Sequence, residues 1–308
     1  MSMHRRIMTG LKSSTGIAAA LAAFAPRASQ AMAGIGMATL CLAALSQPAL
    51  ANPTGASIAS GQATITAPSA TQLNIDQKTK IVIIDWKSFN IAAGETTKFS
   101  QPGANALAVN RIGGADPATI LGNLIANGRV ILIDGNGILF GPNAKVNVGA
   151  LLATTSDAKN EDILSGKATF DKAGNPNAQI VNNGTINAAS GIVGLVAPAI
   201  ANNGIIRAKL GQVALGASNV FTVDFTGDGL ISFPVDPNIV AGAIDANGRP
   251  VKALVANNGR IEGATVLLSA RAAADLVTAV ISTKGDIVAT SIHDNGGSIV
   301  LDGGSAGE

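Results

Sequence analysis

The sequence is defined first by what it does without. It has one cysteine, two histidines, no tyrosine and 3% aromatic residues in 308, and after residue 51 no apolar run is long enough to cross a bilayer as a helix. The single cysteine, Cys41, excludes an intrachain disulfide. With only His4 and His293, a Ser-His-Asp or Cys-His catalytic arrangement and a His/Cys metal site have too few groups to form. No GxSxG, P-loop or strand-to-helix GxGxxG occurs, so neither an α/β-hydrolase nor a nucleotide enzyme is indicated. The expectation is a non-enzymatic protein with no cofactor and no metal.

Acidic residues are missing from one region only. Arg5, Arg6, Lys12 and Arg27 all precede residue 52, no Asp or Glu does, and the rest of the chain carries 17 basic against 19 acidic residues. Nothing there forms the clustered basic face that nucleic acid requires, and no nucleic-acid partner is expected. The basic start is followed by apolar stretches at Gly16–Ala25 and Ala31–Leu45, the helix breaker Gln47-Pro48, and Ala49-Leu50-Ala51. That order reads as an extended signal peptide over residues 1–51, cleaved between Ala51 and Asn52 to leave 257 residues. A membrane anchor is the alternative, disfavoured because the second stretch falls short of about 20 apolar residues. A mature chain without cysteine also suits passage through an oxidising periplasm in an unfolded state.

What is abundant is glycine, with 36 residues, and short apolar bursts. The bursts Ile81–Ile84, Val130–Ile133, Ile138–Phe140, Val146–Val148, Ile192–Val196, Val213–Leu215, Val266–Leu268 and Ile299–Leu301 have strand length and are bounded by turn formers. Asn-Gly occurs at Asn127, Asn136, Asn183, Asn203, Asn247, Asn258 and Asn295, where tolerance of positive φ would allow sharp turns. Asn-Gly alone favours hairpins and an antiparallel sandwich. The repeats NNGTI, NNGII and NNGRI, beginning at Asn182, Asn202 and Asn257, instead place one turn and one strand start in a fixed phase. That is a solenoid signature. In a parallel β-helix the equivalent asparagines of successive coils would stack and bond.

Residues 120–143 parse as one such coil, with Ile120, Gly122, Leu124, Val130, Leu132, Ile138 and Phe140 inward, and Val146 and Val148 begin the next layer. A helix starting at Asp116-Pro117 is the competing reading. The long gap between Asn202 and Asn257 places an insertion at Asn219–Pro250, read as a hairpin turning at Asp228-Gly229 and projecting from the solenoid; Asp224 and Asp228 are too few for an EF-hand-like calcium loop. Trp86 reads as a core or capping side chain rather than a ligand stack. Asn183-Gly184-Thr185 fits a glycosylation sequon but reads better as a repeat turn.

Taken together, the stretch from Ile84 to Thr155, VDFTGDGLISFPVD and NNGRIEGATVLLSARAA resemble the filamentous-haemagglutinin-type two-partner secretion domain over most of residues 58–275. The resemblance implies an all-β, right-handed parallel β-helix with an N-terminal cap and projecting hairpins. Its Asn-Arg-Val motif corresponds to Asn110-Arg111-Ile112 and its Asn-Pro-Asn-Gly motif to Asp134-Gly135-Asn136-Gly137, which departs by losing the proline. Both motifs are implied in secretion, through transporter recognition or turn formation, with a plain tight-turn and capping-Arg role as the other reading. The domains expected are 1–51 and 52–308. The implied partners are the Sec translocon and an outer-membrane TpsB-type β-barrel transporter with periplasmic recognition domains. The implied destination is the surface or surroundings of a Gram-negative bacterium, with adhesion to a host-cell or carbohydrate ligand. The rivals are a pectate-lyase-type enzyme on the same scaffold and a carbohydrate- or haem-carrier-binding module using Phe221, Phe225 and Phe233. The last coil, Gly285–Glu308, is expected to lack a polar cap.

Overall fold

The computed structural model describes residues 52–189, 191–225, 231–232, 249, 251–270, 279–290 and 297–302. The expected leader, Ala51 and the Asp228-Gly229 turn lie outside them, as do Phe233, Asn247, Ile292 and Asn295. The described chain is almost entirely short strands joined by sharp corners. Three parallel stacks share one interior, as a β-helix requires.

The first stack contains Ile81–Trp86, Leu107–Ile112, Arg129–Asp134, Ala150–Thr154 and Val193–Ala197, continuing into Ile205–Ala217 and Arg260–Ala270. The second runs from Gln72–Gln77 through Thr96–Ser100, Asn123–Ala126, Lys145–Val148 and Thr185–Ala188 into the first half of Ile205–Ala217. The third is Ala118–Ile120, Ile138–Phe140, Gln179–Asn182, Ala199–Asn202, Ala253–Asn257 and Ala279–Thr283. Residues 118–126, one candidate for a helix, are two strands meeting at a corner. β-branched residues with Gly122 between them leave no continuous helical face there.

Register is set by inward alternation. Val82, Ala108, Val130, Leu151, Val193 and Val213 stack in one column, and Leu124, Val146, Ile186 and Ile206 in another, all buried. Each fully buried Val, Leu or Ile contributes roughly 1.5–3 kcal/mol, and a one-residue slip would turn a whole strand inside out. The N-terminal end is covered by antiparallel strands: Ser57–Ser60 on Ile81–Trp86, and Ala63–Ser69 on Gln72–Gln77.

Asparagine stacking follows the repeats. Asn182 Nδ2 donates to Asn202 Oδ1 and Asn202 Nδ2 to Asn257 Oδ1, both at 2.8 Å and wholly buried. One residue on, Asn203 Nδ2 donates to Asn183 Oδ1 and Asn258 Nδ2 to Asn203 Oδ1, at 2.9 Å and exposed. The reason for the glycines differs from the expected one. Of the described Asn-Gly corners only Gly137 has positive φ. At Gly204 and Gly259 a Cβ would sit 2.1 and 2.0 Å from the carbonyl oxygen of the coil below, so close backbone stacking is what demands glycine.

The first stack is unusual in being apolar on both sides. Its outward residues Ile83, Val109, Ile131, Leu152, Val196 and Ala214 form a second buried cluster with Ile163, Phe170, Phe221, Val223 and Ile231. The cover is a four-stranded antiparallel sheet, Asp157–Ala158, Lys167–Lys172, Phe221–Asp224 and Ile231–Ser232, with a short helix Asn160–Ser165. Phe170 stacks on Phe221 at 4.6 Å and 5°. The expected hairpin pairs as antiparallel strands outside the coil, but it folds back over the coil instead of standing clear of it. Half of the cover comes from residues 155–178, an insertion that the repeats did not disclose.

Candidate functional site

The two sequence motifs are neighbours in space, and Asn136 of the second bonds Gly114, two residues past the first. Leu107–Ile112 and Arg129–Asp134 are adjacent rungs of the first stack, with Asn110 opposite Leu132, Arg111 opposite Ile133 and Ile112 opposite Asp134. The first motif therefore lies inside the coil, one rung beyond Ile81–Trp86.

Alternation sends their side chains to opposite sides. Asn110 points inward and is fully buried. Its Oδ1 accepts from Trp86 Nε1 at 3.0 Å, and its Nδ2 donates to Ile131 O at 3.2 Å. Trp86, 3% exposed and edge-on to Phe89, is thus a core side chain and no platform for a ligand. Ile112 is buried in the same interior.

Arg111 points outward, toward the covering sheet. Its Nε donates to Asp157 Oδ1 at 2.8 Å, one terminal nitrogen to Asn160 Oδ1 at 2.6 Å, and the other to Ala158 O at 2.8 Å. Its side chain is 18% exposed. The Asp157 carboxylate also accepts from Ala158 N at 2.7 Å. A planar guanidinium is suited to such a three-way clasp, and a lysine would not reproduce it.

The second motif closes the corner that follows. Gly137 N donates to Asp134 O at 3.1 Å, and Gly137 adopts φ 114°, a conformation that glycine alone takes without strain. Asp134 is fully buried, its Oδ1 accepting from Asn136 N at 2.9 Å and its Oδ2 from Ala118 N at 2.8 Å. Burial pushes this carboxyl up to about 6, against the lowering effect of the hydrogen bonds from Asn136 and Ala118. Asn136 Nδ2 donates to Gly114 O at 2.9 Å, tying the corner to the coil before it. Gly135 lies under Gly174, where a Cβ on Gly174 would come within 2.6 Å of Gly135 Cα. The corner keeps its turn without the proline because the Asp134 side chain holds it instead.

Asn52, the residue after the expected cleavage point, is placed in the cap: its Nδ2 donates to Ala70 O at 3.4 Å and its Oδ1 accepts from Thr97 Oγ1 at 3.3 Å. Phe221 is fully buried and Phe225 packs against the same cluster, so these two rings are not the exposed contact surface considered from the sequence. Sequence reading missed Asp157, Asn160 and Arg129, whose terminal nitrogens donate to Phe225 O at 2.5 Å and Asn105 Oδ1 at 2.9 Å. No local pattern links Arg111 with a carboxylate 46 residues away.

The comparisons with known proteins agree with this architecture. The sequence model of the TPS secretion domain matches residues 49–308. A heme/hemopexin-binding protein of Haemophilus influenzae (strain ATCC 51907 / DSM 11121 / KW20 / Rd) is 31% identical over 257 residues, covering 81% of this chain and 27% of its own length. A second heme/hemopexin-binding protein of Haemophilus influenzae is 42% identical over 97 residues, covering 32% of this chain and 10% of its own. This chain thus spans a minor part of the relatives it matches. Among solved structures, the HMW1 secretion domain from Haemophilus influenzae superposes with a TM-score of 0.67 at 27% identity, over 81% of this chain and 62% of that one.

Proposed function

Because this chain belongs to the TPS secretion domain family, we propose that it is the exported partner of a dedicated outer-membrane β-barrel of the TpsB type, and that residues 52–308 are its address. Residues 1–51 direct it through the Sec translocon and are removed after Ala51. The barrel's periplasmic domains then bind the chain while it is extended. No nucleotide is available in that compartment, so progressive coil formation outside, each rung pairing with the last, biases movement outward. The observation that carries the reading is the family match across the whole β-helix.

In this reading Asn110, Arg111 and Ile112, with Asp134, Gly135, Asn136 and Gly137, serve secretion by closing the early coils in register. The exported protein acts at the cell surface as a non-enzymatic adhesin. A second destination, capture of a haem carrier, is favoured by the heme/hemopexin-binding relatives.

Binding of the mature chain to the purified barrel tests the address. The urea-unfolded chain diluted onto the barrel is expected to bind, and the prefolded β-helix to bind at least tenfold more weakly, about 1.4 kcal/mol. Equal binding of both, or of neither, contradicts recognition of the extended chain. N-terminal sequencing of exported protein is expected to begin at Asn52.

A further inference from the structure

The cover on the first stack is assembled from two insertions that are far apart in sequence. Asp157–Ala158, the short helix and Lys167–Lys172 come from the first, and Phe221–Asp224 with Ile231–Ser232 from the second. The coils whose outer face they seal are built largely from residues between 81 and 217. If coils form in chain order, the outer strip of Ile83, Val109, Ile131 and Leu152 exists before Phe221 and Val223 arrive. Such a strip is sticky until covered. Among the described residues, Arg111 on the coil reaches the first insertion by side-chain hydrogen bonds, and Arg129 on the adjacent rung reaches the second, where Gln212 Oε1 also accepts from Ile231 N at 3.3 Å.

We propose that Arg111 is a positioning residue in secretion: it clasps the first insertion through Asp157, Ala158 O and Asn160, holding it over the coil until the second insertion, gripped by Arg129, completes the cover. The inference rests on the secretion reading above. It assigns Asp157, Asn160 and Arg129 to the same function as the motif arginine, and makes the motif's meaning internal to this chain. The geometry supports it in three ways. All three bonds from Arg111 end within four residues of one another, on the segment that leads into Lys167–Lys172. The Asp157 carboxylate is fixed by its own backbone bond, so it presents a preset acceptor to the guanidinium. Neither arginine has a role in the inner core, so removing one need not unravel the coil.

The experiment compares Arg111→Ala, Asp157→Ala, Asn160→Ala, Arg129→Ala and the double variant Arg111→Ala/Asp157→Ala in the producing cell, with hydrogen exchange on each purified mature chain. Secreted protein is expected to fall about tenfold for Arg111→Ala, which loses all three bonds, and by less for Asp157→Ala, with the double variant no worse than Arg111→Ala, since both remove the same charge-assisted bond. Exchange is expected to accelerate at Lys167–Lys172 and Phe221–Asp224 while Gln179–Asn182 keeps wild-type protection. Arg111→Lys, which keeps the charge and loses the fork, is expected to fall between wild type and Arg111→Ala in both readouts. The proposal is overturned if Arg111→Ala loses secretion while Asp157→Ala and Asn160→Ala are secreted normally, or if exchange in the covering sheet is unchanged in Arg111→Ala. A chain too unfolded to show protection anywhere also overturns it, because the clasp would then be a core element. Export that does not depend on the barrel would sink the secretion reading alone, and the exchange result would still decide the clasp.

Discussion

Two regions of the same coil solve opposite problems. The corner that carries Asn182, Asn202 and Asn257 repeats itself, each copy bonding to the next, with 20 residues between the first two. The first stack, a few residues away on every coil, is sealed by a sheet that occurs once and is drawn from two distant insertions. Repetition makes a structure whose interactions are nearest-neighbour, so every copy writes the same residues into the sequence. A cover made once leaves no such trace.

The largest expected effect separates the two regions. Phe170→Ala removes one of two stacked rings from the cover and is expected to cost about 3–4 kcal/mol in urea unfolding. Hydrogen exchange should then rise across Lys167–Lys172 and Phe221–Asp224 and stay slow at Ala199–Asn202. Uniform loss of protection would mean the cover and the coil are one cooperative unit. Gly204→Ala attacks the corner instead. Its Cβ would meet the Gly184 carbonyl at 2.1 Å, and a loss of about 3 kcal/mol is expected, with the stack prised apart on both sides. Gly103, where an added methyl would meet nothing within 4 Å, is the control and should tolerate alanine.

A finer comparison is available within the corner. Asn202→Ala leaves the buried Asn182 Nδ2 without its acceptor, and about 2 kcal/mol should be lost. Asn203→Ala, one residue away in the exposed ladder, should change stability by less than about 0.5 kcal/mol. Equal effects would show that burial is not what gives the inner ladder its worth.

At the join between the regions, Asp134 predicts a pH dependence. Its folded pKa of about 6 lies above the ordinary 3.8, so its contribution is fully present below about 3.8 and is lost as pH rises through about 6. Asp134→Asn should flatten the stability profile over that window by on the order of 3 kcal/mol. An unchanged slope would place the titrating group elsewhere.

The same contrast explains how far the sequence could be read. The strand bursts, the coil through residues 120–143 and the stacked asparagines were legible because inward alternation and the repeated NNG both report a period. The helix at Asn160–Ser165 was not legible: six residues with one buried side chain, Ile163, carry no periodic signal. The first insertion was hidden because Asn147 and Asn187, which bond across it, are 40 residues apart, a separation that also fits two coils. The motif residues were found in the sequence only through resemblance. Their partners were out of reach, because Arg111 meets Asp157 through a tertiary bond that leaves no local pattern. Apart from Gly137, the Asn-Gly glycines were placed correctly and for the wrong reason, since positive φ and close backbone approach demand the same residue.

The central claim, that this β-helix is an address read by an outer-membrane barrel, is tested most directly by measuring export with the barrel gene present and deleted. The account predicts mature chain in the medium or on the cell surface when the barrel is made, and mature chain confined to the periplasm when it is not. Equal export in both strains would contradict it.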